Sequence, residues 1–133
     1  MRRVTFIRPN IADMRSGDAM EPLVFAILAS RTPRDVAVTL YDDHVEEIPY
    51  DQATDLVAIT VDTFSARRAY QIATEYRRRG VRVVMGGHHP TLLPEEALQC
   101  CDSVVTGDAE GAWEAVVEDA RHGTLRRIYA GVH

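Results

Sequence analysis

Short apolar runs rich in β-branched residues alternate along this chain with longer stretches whose apolar positions recur every three or four residues. The runs Val4–Ile7, Val36–Tyr41, Leu56–Val61, Val81–Met85 and Ser103–Thr106 predict strands. Most are continuous rather than alternating, the mark of strands covered on both faces of a parallel sheet. The closing stretch LRRIYAGV reads as an extra edge strand.

Helical spacing fills the gaps between these runs. Glu21–Ser30 starts with Pro22 in its first turn and stops before RTP, and its centre, LVFAILA, is apolar nearly all round. Ser65–Arg79 places Ala66, Ala69, Tyr70, Ala73 and Tyr76 on one stripe, with Ser65 as N-cap and Gly80 as C-cap. Glu110–His122 turns Ala112, Trp113, Val116, Val117 and Ala120 inward, with acids at its start and Arg121, His122 and Gly123 at its end. Asp43–Thr54 is short for a full crossover and predicts a turn or two of helix. No repeat, low-complexity tract or linker interrupts the order, so residues 1–133 read as one domain.

A β-α-β succession demands right-handed crossovers and gives a three-layer α/β/α sandwich. The expected sheet is parallel and flavodoxin-like (Rossmann-like), in the order 2-1-3-4-5. Ligands of such sheets bind beyond the carboxyl ends of strands 1 and 3, where the winding reverses.

Composition narrows the partners. The hydrophobic fraction is 46% and the charged fraction 26%, ordinary for a globular protein. A formal charge of −5, with Arg as the only basic side chain besides His, argues against non-specific binding to nucleic acid or an anionic membrane. The run Arg77-Arg78-Arg79 with Arg82 sits at a helix end, where cations complement the dipole. No apolar run approaches the roughly 20 residues of a membrane span, and the N-terminal MRRVTFIRPN reads as a strand, not a secretion signal. Cys100 and Cys101 are neighbours, unsuited to a mutual bridge and too few for a metal cage. They read as small buried hydrophobes in a reducing cytoplasm.

Four loops converge at the predicted ligand rim: RPNIADMRSGD, VDTFSA, GGHHPT and TGDAEGAW. They contain no G-x-G-x-x-G, no Walker-type phosphate loop and no C-x-x-C. Gly86 and Gly87 would admit a bulky ligand to the backbone, and Thr60, Thr63 and Ser65 offer hydroxyls beside the switch point. Asp108 and Glu110, after Gly107, suit helix capping as well as ligand contact. His88 and His89, taken as part of an extended loop, would point to different sides and so not share a metal. A zinc site would want further ligands, which the rim lacks. A catalytic base would want a nucleophile; Ser65 is the candidate, without an elbow motif around it. Ligand contact or loop shaping by His89 remains, with His88 incidental.

The stretch VVMGGHHPTLLPEEAL…CDSVVTGDAE resembles the N-terminal cobalamin-binding domain of cobalamin-dependent radical SAM enzymes, whose members look like GG-x-H-x-T-x-x-P-E-E-x-L…D-x-V-V-x-G-E-G-E. Gly86, Gly87, His89, Thr91, Pro94, Glu95, Glu96, Asp102, Gly107 and Glu110 match that pattern, while Asp108 and Ala109 depart from it. RPN after strand 1, EPL at the first helix and DLVAIT at strand 3 agree too. The resemblance implies a cobalamin-binding module with the corrin over the rim and the nucleotide tail in the crevice. It implies contacts from Pro9, Asn10, Thr60, Val61, Thr63, Ser65, Gly86, Gly87, His89, Pro90, Thr91, Gly107, Asp108 and Glu110. Related cobalamin enzymes carry D-x-H-x-x-G after strand 1, with its His on cobalt; here NIADMRSG has no histidine. Base-off binding with no histidine from that loop is therefore expected.

Radical SAM chemistry needs C-x3-C-x2-C thiolates, which two vicinal cysteines do not supply. On this resemblance the chain is the N-terminal part of a longer enzyme of the methyl-transfer or cyclisation class. S-adenosylmethionine and a 4Fe-4S cluster would be held by a catalytic domain in cis or in trans. The domain itself would not be catalytic. Two rivals carry forward: a domain of this fold that binds no corrin and serves docking or regulation, and a flavodoxin-like binder of nucleotide or flavin.

Overall fold

A computed structural model describes residues 1–10 and 23–131 of the chain. Among the described residues six strands form one sheet: β1 (Arg3–Arg8), β2 (Ala37–Asp42), β3 (Leu56–Thr60), β4 (Arg82–Gly86), β5 (Ser103–Thr106) and β6 (Ile128–Ala130). Their order is β2-β1-β3-β4-β5-β6 and every pairing is parallel. The expected 2-1-3-4-5 core is present, and the closing stretch adds β6 beside β5. Among the described residues no helix is long and apolar enough to cross a membrane.

The helices are α1 (Leu23–Ser30), α2 (Ala66–Arg78), α3 (His88–Leu92), α4 (Pro94–Ala97) and α5 (Trp113–Arg121), with a 3-10 turn at Ala109–Gly111. Strand side chains alternate between two separate cores, as the period of two requires. One face carries Leu56, Ala58, Val84 and Val105 against Phe25, Leu28, Trp113, Val116 and Val117 of α1 and α5. The other carries Val57, Ile59, Val83, Met85 and Val104 against Ala69, Ile72, Ala73 and Tyr76 of α2, with Ala97 of α4. Because both faces are covered, the strands need no polar side, which is why their sequences read as unbroken apolar runs.

Several local expectations change. Residues 43–54 form turns and no helix. The carboxylates at the end of β2 capture the chain instead: Asp42 accepts from the His44 amide at 2.9 Å, and Asp43 accepts from the Asn10 amide at 2.9 Å. GGHHPT is not an extended loop, since His88–Leu92 is helical and Pro94–Ala97 follows as a second short helix. Prolines at 90 and 94 hid both segments from a periodicity reading, although proline is tolerated in a first helical turn. Ser65 stands at the N-cap of α2, but its hydroxyl accepts from the Asp62 amide at 3.1 Å and caps nothing. The predicted inward stripe of α2 shifts: Ile72 is buried, while Tyr70 lies half-buried at the margin. Cys101 is buried, and burial pushes its thiol up to about 12; Cys100 is only half-buried, and both are free. The helix expected over Glu110–His122 begins as the 3-10 turn and becomes α-helical only at Trp113, as α5. Most of the loop after β1, the predicted helix start at Glu21 and Pro22, and Val132 and His133 lie outside the described residues.

Candidate ligand-binding site

At the carboxyl ends of the central strands the sheet leaves a cavity of about 470 Å³. Its floor is built from small side chains at successive levels of one face. Ala58 and Thr60 on β3 pair with Val84 and Gly86 on β4, and Gly107 follows β5. Val24, Phe25 and Leu28 from α1 form one wall, and Ala109 and Trp113 form the other. Phe6 fixes both walls from below, stacked on Phe25 at 4.9 Å and tilted against Trp113 at 5.4 Å. The Trp113 indole N–H is satisfied outside the cavity, donating to the Thr32 hydroxyl at 2.9 Å. The walls are therefore apolar, and polar groups gather at the mouth: Thr60, His88, Thr91 and Asp108. This layout suits a ligand with an apolar body and a polar fringe.

A second cleft of about 210 Å³ lies at the winding reversal between β1 and β3. Arg8, Pro9, His44, Val61, Asp62 and Ser65 border it, and Thr60, Gly87 and His88 line both spaces. Two of its lining side chains, Arg8 and His44, are held by a carboxylate at the end of β2, beside a second carboxylate pair. Asp42 holds the His44 imidazole at 2.9 Å and the Arg8 guanidinium at 3.4 Å, and Arg68 clamps Asp43 at 2.8 Å.

The two glycines of the central motif differ in role. Gly87 has φ +109°, and a Cβ there would stand 2.6 Å from the Val61 carbonyl oxygen. Its close approach is to the chain itself. A Cβ on Gly86 would meet only Val105, at 3.8 and 3.9 Å, so there the missing side chain leaves usable space in the cavity.

Behind the mouth, α3 is tied down from two sides. His89 is buried, with Nε2 donating to Glu96 Oε2 at 2.6 Å and Nδ1 facing the Thr63 hydroxyl at 3.4 Å. The Tyr70 hydroxyl donates to the same Glu96 oxygen at 2.6 Å. These donors, Tyr70 first and then His89, hold the Glu96 carboxyl below its usual range, and burial followed by the hydrogen bond to Glu96 raises Tyr70. On the other side the Thr91 hydroxyl donates to the Gly87 carbonyl at 2.7 Å and accepts from the Gly107 amide at 3.0 Å. Asp102 joins strand starts, accepting from the Val83 amide at 2.8 Å. Asp108 caps the 3-10 turn through the Glu110 amide at 3.1 Å.

Of the residues expected to contact a ligand, Thr60, Gly86, Gly87, Thr91, Gly107 and Asp108 line the larger cavity. Pro9, Val61 and Ser65 join Thr60 and Gly87 along the smaller cleft. Asn10, Thr63, His89, Pro90 and Glu110 border neither. The two histidines differ: both ring nitrogens of His89 face protein groups, the loop-shaping alternative expected for it, while His88, taken as incidental, is exposed and lines both spaces. The sequence reading also missed the walls. Phe25, Leu28 and Trp113 looked like ordinary core positions, and the only available signal was the excess apolarity of LVFAILA.

Comparison with known proteins was made on this geometry. A family profile described as the B12 binding domain matches residues 24–117. Among curated proteins, bacteriochlorophyllide d C-8(2)-methyltransferase of Chlorobaculum tepidum is 39% identical over 108 residues, 80% of this chain and 24% of that protein. The C-12(1)-methyltransferase of the same organism is 35% identical over 116 residues, 86% of this chain and 25% of that one. An uncharacterized methyltransferase of Pyrococcus horikoshii is 30% identical over 120 residues, 80% and 26% of the two chains. The chain thus spans about a quarter of the length of these relatives. Among solved structures, the N-terminal domain of a hypothetical protein from Thermotoga maritima superposes with a TM-score of 0.51 at 23% identity, over 65% of this chain and 75% of that one. That likeness concerns the fold.

Proposed function

The chain belongs to the B12-binding domain family, its cofactor is cobalamin, and on that premise we propose that it is the binding module of a longer radical SAM enzyme of the methyl-transfer or cyclisation class. It would hold cobalamin base-off, with the corrin over the carboxyl rim and the nucleotide tail in the 470 Å³ cavity. The observation that carries this reading is the step of small residues Ala58, Thr60, Gly86 and Gly107, which opens an apolar cavity beside the switch point. The cavity fits the group, since its volume lies within the range of cofactor pockets and its polar groups stand only at the mouth.

Cobalamin, when bound, supplies the one-carbon and redox chemistry, and the protein supplies binding and orientation. Phe25, Leu28 and Trp113 would exclude water from the tail, and Thr60 and Asp108 would meet polar groups at the mouth. Thr91 and Gly87 would keep the mouth open by fixing α3. The loop after β1 contains no histidine to reach cobalt. Cys100 and Cys101 do not make a C-x3-C-x2-C motif, so a catalytic domain in cis or in trans would hold S-adenosylmethionine and the 4Fe-4S cluster. The methyltransferase names of the relatives, and the quarter of their length that this chain spans, support that division. Free thiols at 100 and 101 fit a reducing cytoplasm.

Hydroxocobalamin added to the folded chain and then desalted should leave a base-off corrin spectrum with the protein. It should also quench Trp113, the one tryptophan, because it lines the cavity. A folded chain that retains no corrin would count against cobalamin binding. A retained base-on spectrum would remove the base-off mode alone. The radical SAM assignment fails if the gene and its neighbours encode no C-x3-C-x2-C.

A further inference from the structure

His88 and His89 are consecutive residues of one helical turn, so their side chains leave α3 about 100° apart. Holding one therefore aims the other. His89 is held. Its Nε2–H and the Tyr70 hydroxyl converge on Glu96 Oε2, each at 2.6 Å, so both must donate to the carboxylate. That assigns the Nε2–H form to His89 and leaves Nδ1 toward Thr63 at 3.4 Å. The His89 amide also donates to the Val61 carbonyl at 3.2 Å, just beside Gly87. The clasp therefore joins the β3–α2 loop, α2, α3 and α4. His88 is the opposite case: exposed, with no hydrogen-bond partner among the described residues, and placed where the larger cavity and the switch-point cleft meet.

We propose that His88 is a ligand-contacting residue at the junction of the two cavities, and that His89, Glu96 and Tyr70 are positioning residues that aim it. The inference rests on the cobalamin reading above and deepens it. His88 supplies an imidazole to the ligand between the part lodged in the apolar cavity and the part lying over the cleft. His89 touches no ligand atom; it acts through the orientation of α3.

The test is a double-substitution cycle read by hydroxocobalamin titration, with Trp113 quenching and the visible spectrum as signals. His88→Ala and His89→Leu should each weaken binding about tenfold, the scale of one good hydrogen bond. The double variant should bind within about twofold of His88→Ala alone, because a clasp has nothing left to aim. His89→Gln, whose amide N–H reaches toward Glu96, should recover binding to within about threefold of the parent. Far-UV circular dichroism checks the fold; if His89→Leu does not fold, Tyr70→Phe takes its place in the cycle under the same criterion. Wild-type affinity in His88→Ala, multiplying losses in the double variant, or a Gln variant as weak as the Leu variant each overturns the proposal. A parent chain that retains no cobalamin overturns the cofactor reading and the His88 contact together, whereas parent binding with unaffected variants overturns only this inference.

Discussion

The two faces of the sheet reach the same rim and end there in opposite ways. On the α1/α5 face the last positions are Ala58, Thr60, Gly86 and Gly107, and the helices stand off to leave a cavity. On the α2 face the corresponding levels hold Ile59, Met85 and Val104, and the space above is closed by His89 and Glu96. Neighbouring residues in the chain, one position out of phase, build an opening and a seal. The lesson is that the cavity comes from missing side-chain volume aligned by strand register, while the polar residues of the central motif serve mainly to brace what surrounds it.

The comparison breaks most severely at Gly87, which lines both spaces yet presses its backbone on Val61. Gly87→Val must adopt φ +109° with a Cβ 2.6 Å from the Val61 oxygen, so a loss of about 3 kcal/mol or more is expected in urea unfolding. Wild-type stability would refute the close-approach role. Gly86→Val probes the opening. Its Cβ meets only Val105 at ordinary contact, so the fold should persist while the filled cavity loses about a hundredfold in cobalamin affinity, measured by titration. A stable variant with unchanged affinity would place the ligand elsewhere.

Smaller effects sharpen the contrast. Thr91→Val removes the hydroxyl that serves Gly87 and Gly107, and should lower stability by about 1–2 kcal/mol, with a weaker effect on affinity than Gly86→Val. The reverse ranking would make Thr91 a ligand contact before a brace. Glu96 gives the mildest signal. Its carboxyl is held below the usual value of 4.5 by Tyr70 and His89, so its contribution is present above about pH 4.5 and lost as pH falls through the depressed folded value. The gap in urea midpoint between the parent and Glu96→Gln should therefore be full near neutrality and close as pH falls below 4.5 through the depressed folded value. A gap that does not change with pH would mean that the clasp does not depend on the Glu96 charge.

Much of the architecture was legible beforehand. Continuous runs such as LVAIT and RVVM announced strands buried on both faces, and the parallel order followed from the crossovers. Failures fell where side chains capture backbone or where elements are short. Asp42 and Asp43 converted an expected helical turn into hydrogen-bonded turns, and two prolines masked α3 and α4. The site was half legible. Gly86 and Thr60 were visible as small or hydroxyl-bearing residues at strand ends, but the wall at Phe25 was signalled only by the excess apolarity of LVFAILA, and Trp113 carries no local sign that it faces a void.

By itself the sequence determined the layer order, the location of the rim and the family motif, because hydrophobic period and strand-end glycines are local properties. The division of labour between adjacent residues was decided only in three dimensions. Gly86 and Gly87 differ because one faces Val105 across the cavity and the other presses on Val61. His88 and His89 differ because one helical step turns one toward the ligand spaces and the other into Glu96. Register and helix rotation set those directions, and neither is written in the composition of GGHH.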